Sequence, residues 1–154
     1  MNRAITLMAA LFLLTACQTT GWDLKAGQEN LANNTVVTVK WGDGKRYYCK
    51  NSTSPRIEAT NAPVKGVANV RVWLVDLDYV TYPHDGAVFP ASEVLDANGN
   101  LTVAQDAVAN APGSSYQAPC STIGPHKYQF TLYFLDKEGV LLGKKAAAPS
   151  PAIP

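Results

Sequence analysis

Tyr128-Gln-Phe-Thr-Leu-Tyr-Phe134 alternates without a fault, and this constrains the fold more than any other stretch. Tyr128, Phe130, Leu132 and Phe134 fall on one row; Gln129, Thr131 and Tyr133 fall on the other. A period of two marks a β-strand with one buried face. His126 has the parity of the apolar row. A strand already under way there aims the imidazole inward at its mouth. The preceding loop carries Pro119, Cys120, Gly124 and Pro125, which make it a rigid wall for a small pocket.

The rest of the chain fits around this strand. Asn69-Val-Arg-Val-Trp-Leu-Val75 is apolar on both rows and reads as a central strand buried on both faces. Asp76 and Asp78 continue the row of Val70, Val72 and Leu74, so two carboxylates extend an apolar row at the strand's end. Thr35 to Trp41 and Lys45 to Cys49 flank Gly42-Asp43-Gly44 as a β-hairpin. Arg56 to Thr60 is a short strand. Tyr82 to Gly86 is a loop holding His84, followed by Ala87-Val-Phe89. Glu93 to Asp96 and Leu101 to Val103 flank the hairpin turn Asn98-Gly99, and 103–109 alternatively forms one or two helical turns. Val140 to Leu142 is a last strand, and 146–154, with three prolines, is a flexible tail. Short strands, turn residues and the lack of a long amphipathic helix give an all-β sandwich or barrel.

The first residues belong to something else. Asn2-Arg3, an apolar run from Ala4 to Leu14, and small residues before Cys17 read as a secretory signal over 1–16. Leu14-Thr-Ala-Cys17 resembles the lipobox of bacterial lipoproteins. That resemblance implies acylation of Cys17 and a firm anchor of several acyl chains. Gln18 in place of aspartate implies the outer membrane, with the domain in the periplasm. Residues 17–34 then form the lipidated N-terminus and tether, and 35–145 the domain. Processing removes Arg3, leaving 12 basic residues of 13 against 12 acidic ones. A neutral domain without a basic run excludes nucleic acid as a natural partner. Cys49 and Cys120 remain in a compartment that permits disulfides and are expected to pair.

The chemistry-bearing residues are few. A strand-end aspartate is ordinarily a turn or cap residue, and a lone inward histidine is as often a satisfied core group as a ligand. Two acids on one apolar row beside two histidines point instead to a site. Asp76, Asp78, His84 and His126 also compose a possible divalent-cation site, but no His-x-x-x-His or paired-cysteine spacing supports it. A Cys120–His126 nucleophile pair is excluded if Cys120 is in a disulfide. There is no Gly-x-Ser-x-Gly and no phosphate loop.

Four segments resemble bacterial phosphatidylethanolamine-binding proteins, also called Raf kinase inhibitor-like proteins. Cys49 to Ile57 resembles C-x-G-x-N-x-S-P-x-L. Val75-Asp-Leu-Asp78 resembles a strand ending in D-P-D-A-P. Pro83-His84-Asp85 with Val88-Phe89-Pro90 resembles the W-H-W segment. Tyr116-Gln-Ala-Pro-Cys120 with Gly124-Pro-His-Lys-Tyr-Gln-Phe-Thr-Leu-Tyr133 resembles G-Y-x-G-P-C-P-P-x-G-x-P-H-R-Y-x-F-T-L-Y. The resemblance runs from Cys49 to Asp136. It implies a phosphatidylethanolamine-binding-protein-like β-sandwich with few short helices. It also implies an anion pocket at one end, lined by Asp76, Asp78, His84, Pro119 and His126 with Tyr116 nearby. The implied activity is non-catalytic binding of a small anion or phospholipid headgroup, without a cofactor or metal. A protein-interaction lipoprotein of inhibitor-like character and a metal-dependent hydrolase are the alternatives. Departures at Leu77, Tyr79-Val80, Pro83, Asp85, Ser121-Thr122 and Lys127 cluster around that pocket.

Overall fold

The computed structural model describes residues 23–42, Tyr47, Cys49 and 53–153. The signal segment and Cys17 lie outside these residues. β1 (Val36–Val39), β2 (Ile57–Thr60), β3 (Asn69–Asp76), β4 (Pro83–Pro90), α1 (Ala91–Val94), β5 (Leu101–Val103), α2 (Ala107–Asn110), β6 (Tyr128–Leu135) and β7 (Leu141–Ala146) follow in order. They make two antiparallel sheets, one ordered β1-β2-β5 and the other β4-β3-β6-β7.

The alternation in β6 is realised as read. Tyr128, Phe130, Leu132 and Phe134 are all buried, and the row between them is half-buried. β6 pairs with β3 in unbroken register, Asn69 opposite Leu135 through Asp76 opposite Tyr128. The inner rows of both strands join Ile57 and Ala59 of β2 and Leu101 and Val103 of β5 in one apolar core. Burying apolar side chains between the sheets is the main favourable contribution to folding.

Several sequence expectations change. β3 is central but buried on one face only: Val70, Val72, Leu74 and Asp76 point inward, while Arg71, Trp73 and Val75 remain half-buried. The Arg71 guanidinium lies 4.0 Å over the Trp73 ring, a cation–π contact that shields this outer row in place of a second layer. β1 pairs with β2. The second arm of the expected hairpin, 45–49, lies largely outside the described residues, and Tyr47 and Cys49 within it are not in strands. The turn at Asn98-Gly99 forms, locked by Asp96, whose carboxylate accepts the Asn98 and Asn100 backbone N–H groups. Its arms meet in an antiparallel bridge between Leu95 and Leu101; Glu93 and Val94 before it are in a helical turn, and β5 goes on to pair with β2. Gly99 is required there: it has φ +77°, and a Cβ would meet the Ala62 carbonyl oxygen at 2.7 Å.

Both ends of the described chain are tied to the second sheet. Within the stretch read as tether, Leu31 N–H bonds the Leu142 carbonyl, and the Asn30 side chain bridges the Lys144 N–H and carbonyl. These bonds satisfy the edge of β7. The stretch read as a flexible tail is also bonded: Ala147 N–H to Phe130 O, Ser150 N–H to Tyr128 O, and Ile153 in a mutual pair with His126. Ile153 is fully buried. Its prolines remove donors from an edge segment, where donors are dispensable.

Candidate functional site

Three side chains, two from adjacent strands and one from just before a third, meet at one end of the four-stranded sheet. Asp76 ends the inner row of β3 and is 2% exposed. Its Oδ1 accepts the backbone N–H groups of Asp78 (2.8 Å) and Tyr79 (3.0 Å), turning the chain out of the strand. Its Oδ2 accepts the His126 Nδ1–H at 2.6 Å. His126 stands just before β6, held by its backbone pair with Ile153. The inward parity of His126 is therefore realised, with a carboxylate waiting for it.

His84 arrives by a different device. It was read as a loop residue; it lies in β4 and is 1% exposed. Val75 faces Pro83 but Trp73 faces Gly86, so β4 carries one extra residue between these pairs. This β-bulge contains Asp85 at φ +50°. The bulge restarts the alternation, so His84 points inward although Ala87 and Phe89, at the opposite parity, do too. Gly86 permits the close approach: a Cβ there would lie 1.8 Å from the Val72 carbonyl oxygen. His84 Nδ1 donates to the Gln117 carbonyl at 3.1 Å, while Gln117 N–H bonds the His84 carbonyl. That clamp fixes the tautomer and leaves Nε2 facing Asp76 Oδ2 at 4.0 Å. The buried Nε2 has no hydrogen-bond partner.

Electrostatics follow from these contacts. Burial alone pushes the Asp76 carboxyl up. The His126 hydrogen bond, the two backbone N–H groups and the His126 charge outweigh it and hold the carboxyl below its ordinary value. A cavity of about 370 Å³ opens over this pair, lined by Asp76, Tyr79, Tyr82, Cys120, Ser121, Thr122, Ile123 and His126. His84 sits behind Asp76, packed edge-on to Tyr128 (5.1 Å) and against Tyr82 (5.0 Å).

The remaining expected residues have other duties. Asp78 is exposed, and its Oδ2 accepts the Lys127 N–H at 2.7 Å, joining the ends of β3 and β6. Pro119 is buried and its carbonyl accepts the Cys49 N–H. Tyr116 stacks on Phe130 (6.3 Å); burial, with smaller effects from Tyr47 and Asp106, pushes its phenol far above the ordinary range. None of the three lines the cavity. Cys49 and Cys120 form the expected disulfide, Cα atoms 4.4 Å apart, which fixes the loop making one cavity wall. Tyr79 and Tyr82, which the sequence leaves between cross-strand packing and pocket rim, line the cavity, as do Ser121 and Thr122; Ile123 alone carries no sequence signal, since a turn side chain has no periodicity to betray it. Among the described residues no group of three or more His, Cys, Asp or Glu side chains is placed to hold a metal ion. No helix among them is long and apolar enough to cross a membrane.

No family model, curated protein or solved structure matches the chain.

Proposed function

We propose that this chain is a membrane-anchored lipoprotein whose pocket binds a small anion or phospholipid headgroup without turning it over. In this reading its sheets adopt the phosphatidylethanolamine-binding-protein-like arrangement. The observation that carries the proposal is the Asp76–His126 pair at the cavity floor with the unpartnered His84 Nε2 behind it. Asp76 occupies Nδ1 of His126, so His126 Nε2 is the free position able to donate to a bound oxygen. The His84 ring behind Asp76, with its Nε2 at 4.0 Å from Asp76 Oδ2, adds a second imidazole to the same floor. The thiol chemistry weighed from the sequence is set aside, because Cys120 is in the disulfide.

Titration of the protein with inorganic phosphate and phosphoethanolamine, followed by NMR of the imidazole resonances, tests this. Saturable shifts at His126 are expected, and any response of the His84 resonances should be lost in His126→Ala. No response from either histidine at millimolar ligand (about −4 kcal/mol of affinity at this concentration) overturns the reading.

A further inference from the structure

The mouth of this cavity is ringed by exposed apolar side chains. Leu77 (38% exposed), Tyr79 (54%), Val80 (68%) and Tyr82 (44%) project from the β3–β4 turn, and Ile123 (83%) faces them from the Cys120–Pro125 loop. Only four other large apolar side chains among the described residues are comparably exposed, scattered at Leu31, Val36, Val64 and Val88. Isolated exposed apolar residues are ordinary, but five gathered on two facing turns mark an interaction surface. The nearby charges do not neutralise it: Asp78 is engaged by the Lys127 backbone, Asp76 by His126, and the Lys127 side chain is exposed.

The form of this collar selects its occupant. Its side chains stand on two turns beside the Asp76–His126 pocket, rather than on a flat sheet face. Two of the five are tyrosines, amphipathic rings suited to a membrane–water boundary. We infer that the collar docks into the headgroup region of the bilayer that anchors the chain, setting the Asp76–His126 pocket at headgroup level. This rests on the proposed function, which supplies the lipid anchor and the headgroup-binding pocket. It adds that the ligand is met in the bilayer rather than free in solution.

Tether length permits and favours this. The first described residue, Asp23, is ion-paired to Lys144 at 2.9 Å. Lys144 is opposite Tyr133, seven residues along the chain from His126. At about 3.3 Å per residue, the pairing point lies roughly 23 Å from the pocket. Between the expected acylation site Cys17 and Asp23 are only the five residues 18–22, six steps of chain that span at most about 21 Å. The domain is thereby kept within one molecular diameter of the leaflet. Laid along it, the sheet brings both the Asp23 end and the collar to the surface.

The test uses the chain from residue 17 onward carrying Cys17→Ser, so that neither the apolar run Ala4 to Leu14 nor an acyl anchor masks the collar, and vesicles of phosphatidylethanolamine and phosphatidylglycerol. Leu77 and Val80 are substituted because neither lines the cavity. Measurable vesicle co-flotation is expected for the Cys17→Ser chain. It should fall at least ~10-fold in Leu77→Ser/Val80→Ser and return in Val80→Leu/Leu77→Ile. Phosphate titration of His126 should be unchanged throughout. Absent flotation, or flotation indifferent to these changes, overturns the inference even where phosphate still binds. If phosphate fails to bind while flotation follows the collar, it is the pocket reading that fails. A photo-crosslinking residue at Val80 that captures a protein instead of lipid in cells overturns the bilayer as occupant.

Discussion

Asp76 does three things with two oxygens: it caps the end of β3, orients His126 and faces His84. Replacing it leaves two turn N–H groups and an imidazole short of a strong acceptor. Asp76→Ala is expected to cost about 2 kcal/mol, the scale of hydrogen bonds to a charged group. The pH sign follows from the depressed carboxyl. Its stabilising contribution is fully present above the ordinary value of 3.8 and is lost as pH falls through the lower folded value. Denaturant midpoints for the parent and Asp76→Asn, compared at neutral pH and in acid, should converge at the acid end. A gap that widens on acidification would contradict this role. At this scale the sequence was partly legible: the inward parities of Asp76 and His126 match the structure. His84, assigned to a loop, has no parity in the sequence reading, and it lies in a strand whose alternation is reset by one extra residue at Asp85. A bulge depends on the pairing partner and on the space left by Gly86, neither of which a single strand reveals.

Among the elements, β6 was legible throughout because one side of it is solvent-facing and the other core, and this contrast is written as alternation. β3 misled because its outer row is also apolar. The structure shields that row with Arg71 over Trp73, a pairing of neighbours that no periodicity distinguishes from burial under a second layer. The pairing of β1 with β2 and the docked segment 147–153 were missed because pairing across sheets is a choice among many compatible strands. The loop from Cys120 to Pro125 depends on a covalent element. Cys49 and Cys120 are 71 residues apart, and their bond should contribute about 4 kcal/mol by restricting the unfolded chain. Cys49→Ser/Cys120→Ser is expected to lower the unfolding free energy by up to that amount. It should also weaken phosphate binding, since Cys120 to Ile123 form a cavity wall. Unchanged stability in calorimetry would show that the bridge is dispensable.

For the whole molecule, the expected arrangement is a domain on a short leash with its pocket edge at the leaflet. Growth with labelled palmitate should mark the chain, and Cys17→Ser should abolish the label and release the protein from the membrane fraction. A released, unlabelled parent chain would remove the anchor from the proposal while leaving the pocket test intact.

By itself the sequence determined the class of fold, the inner row of β6, the inward direction of His126 and the pairing of its two domain cysteines. Each of these is local or a matter of elimination: side-chain direction alternates with every residue, and two thiols have one way to pair. Tertiary structure decided which strands became neighbours, and so which polar groups met. Asp76 and His84 lie on separate strands and His126 just before a third, and only the pairing register, with the bulge beside Gly86, puts them within reach of each other. The exposure of the apolar turns beside the opening was equally invisible. A turn residue's exposure depends on what the rest of the chain leaves uncovered, a property of the folded surface rather than of any segment.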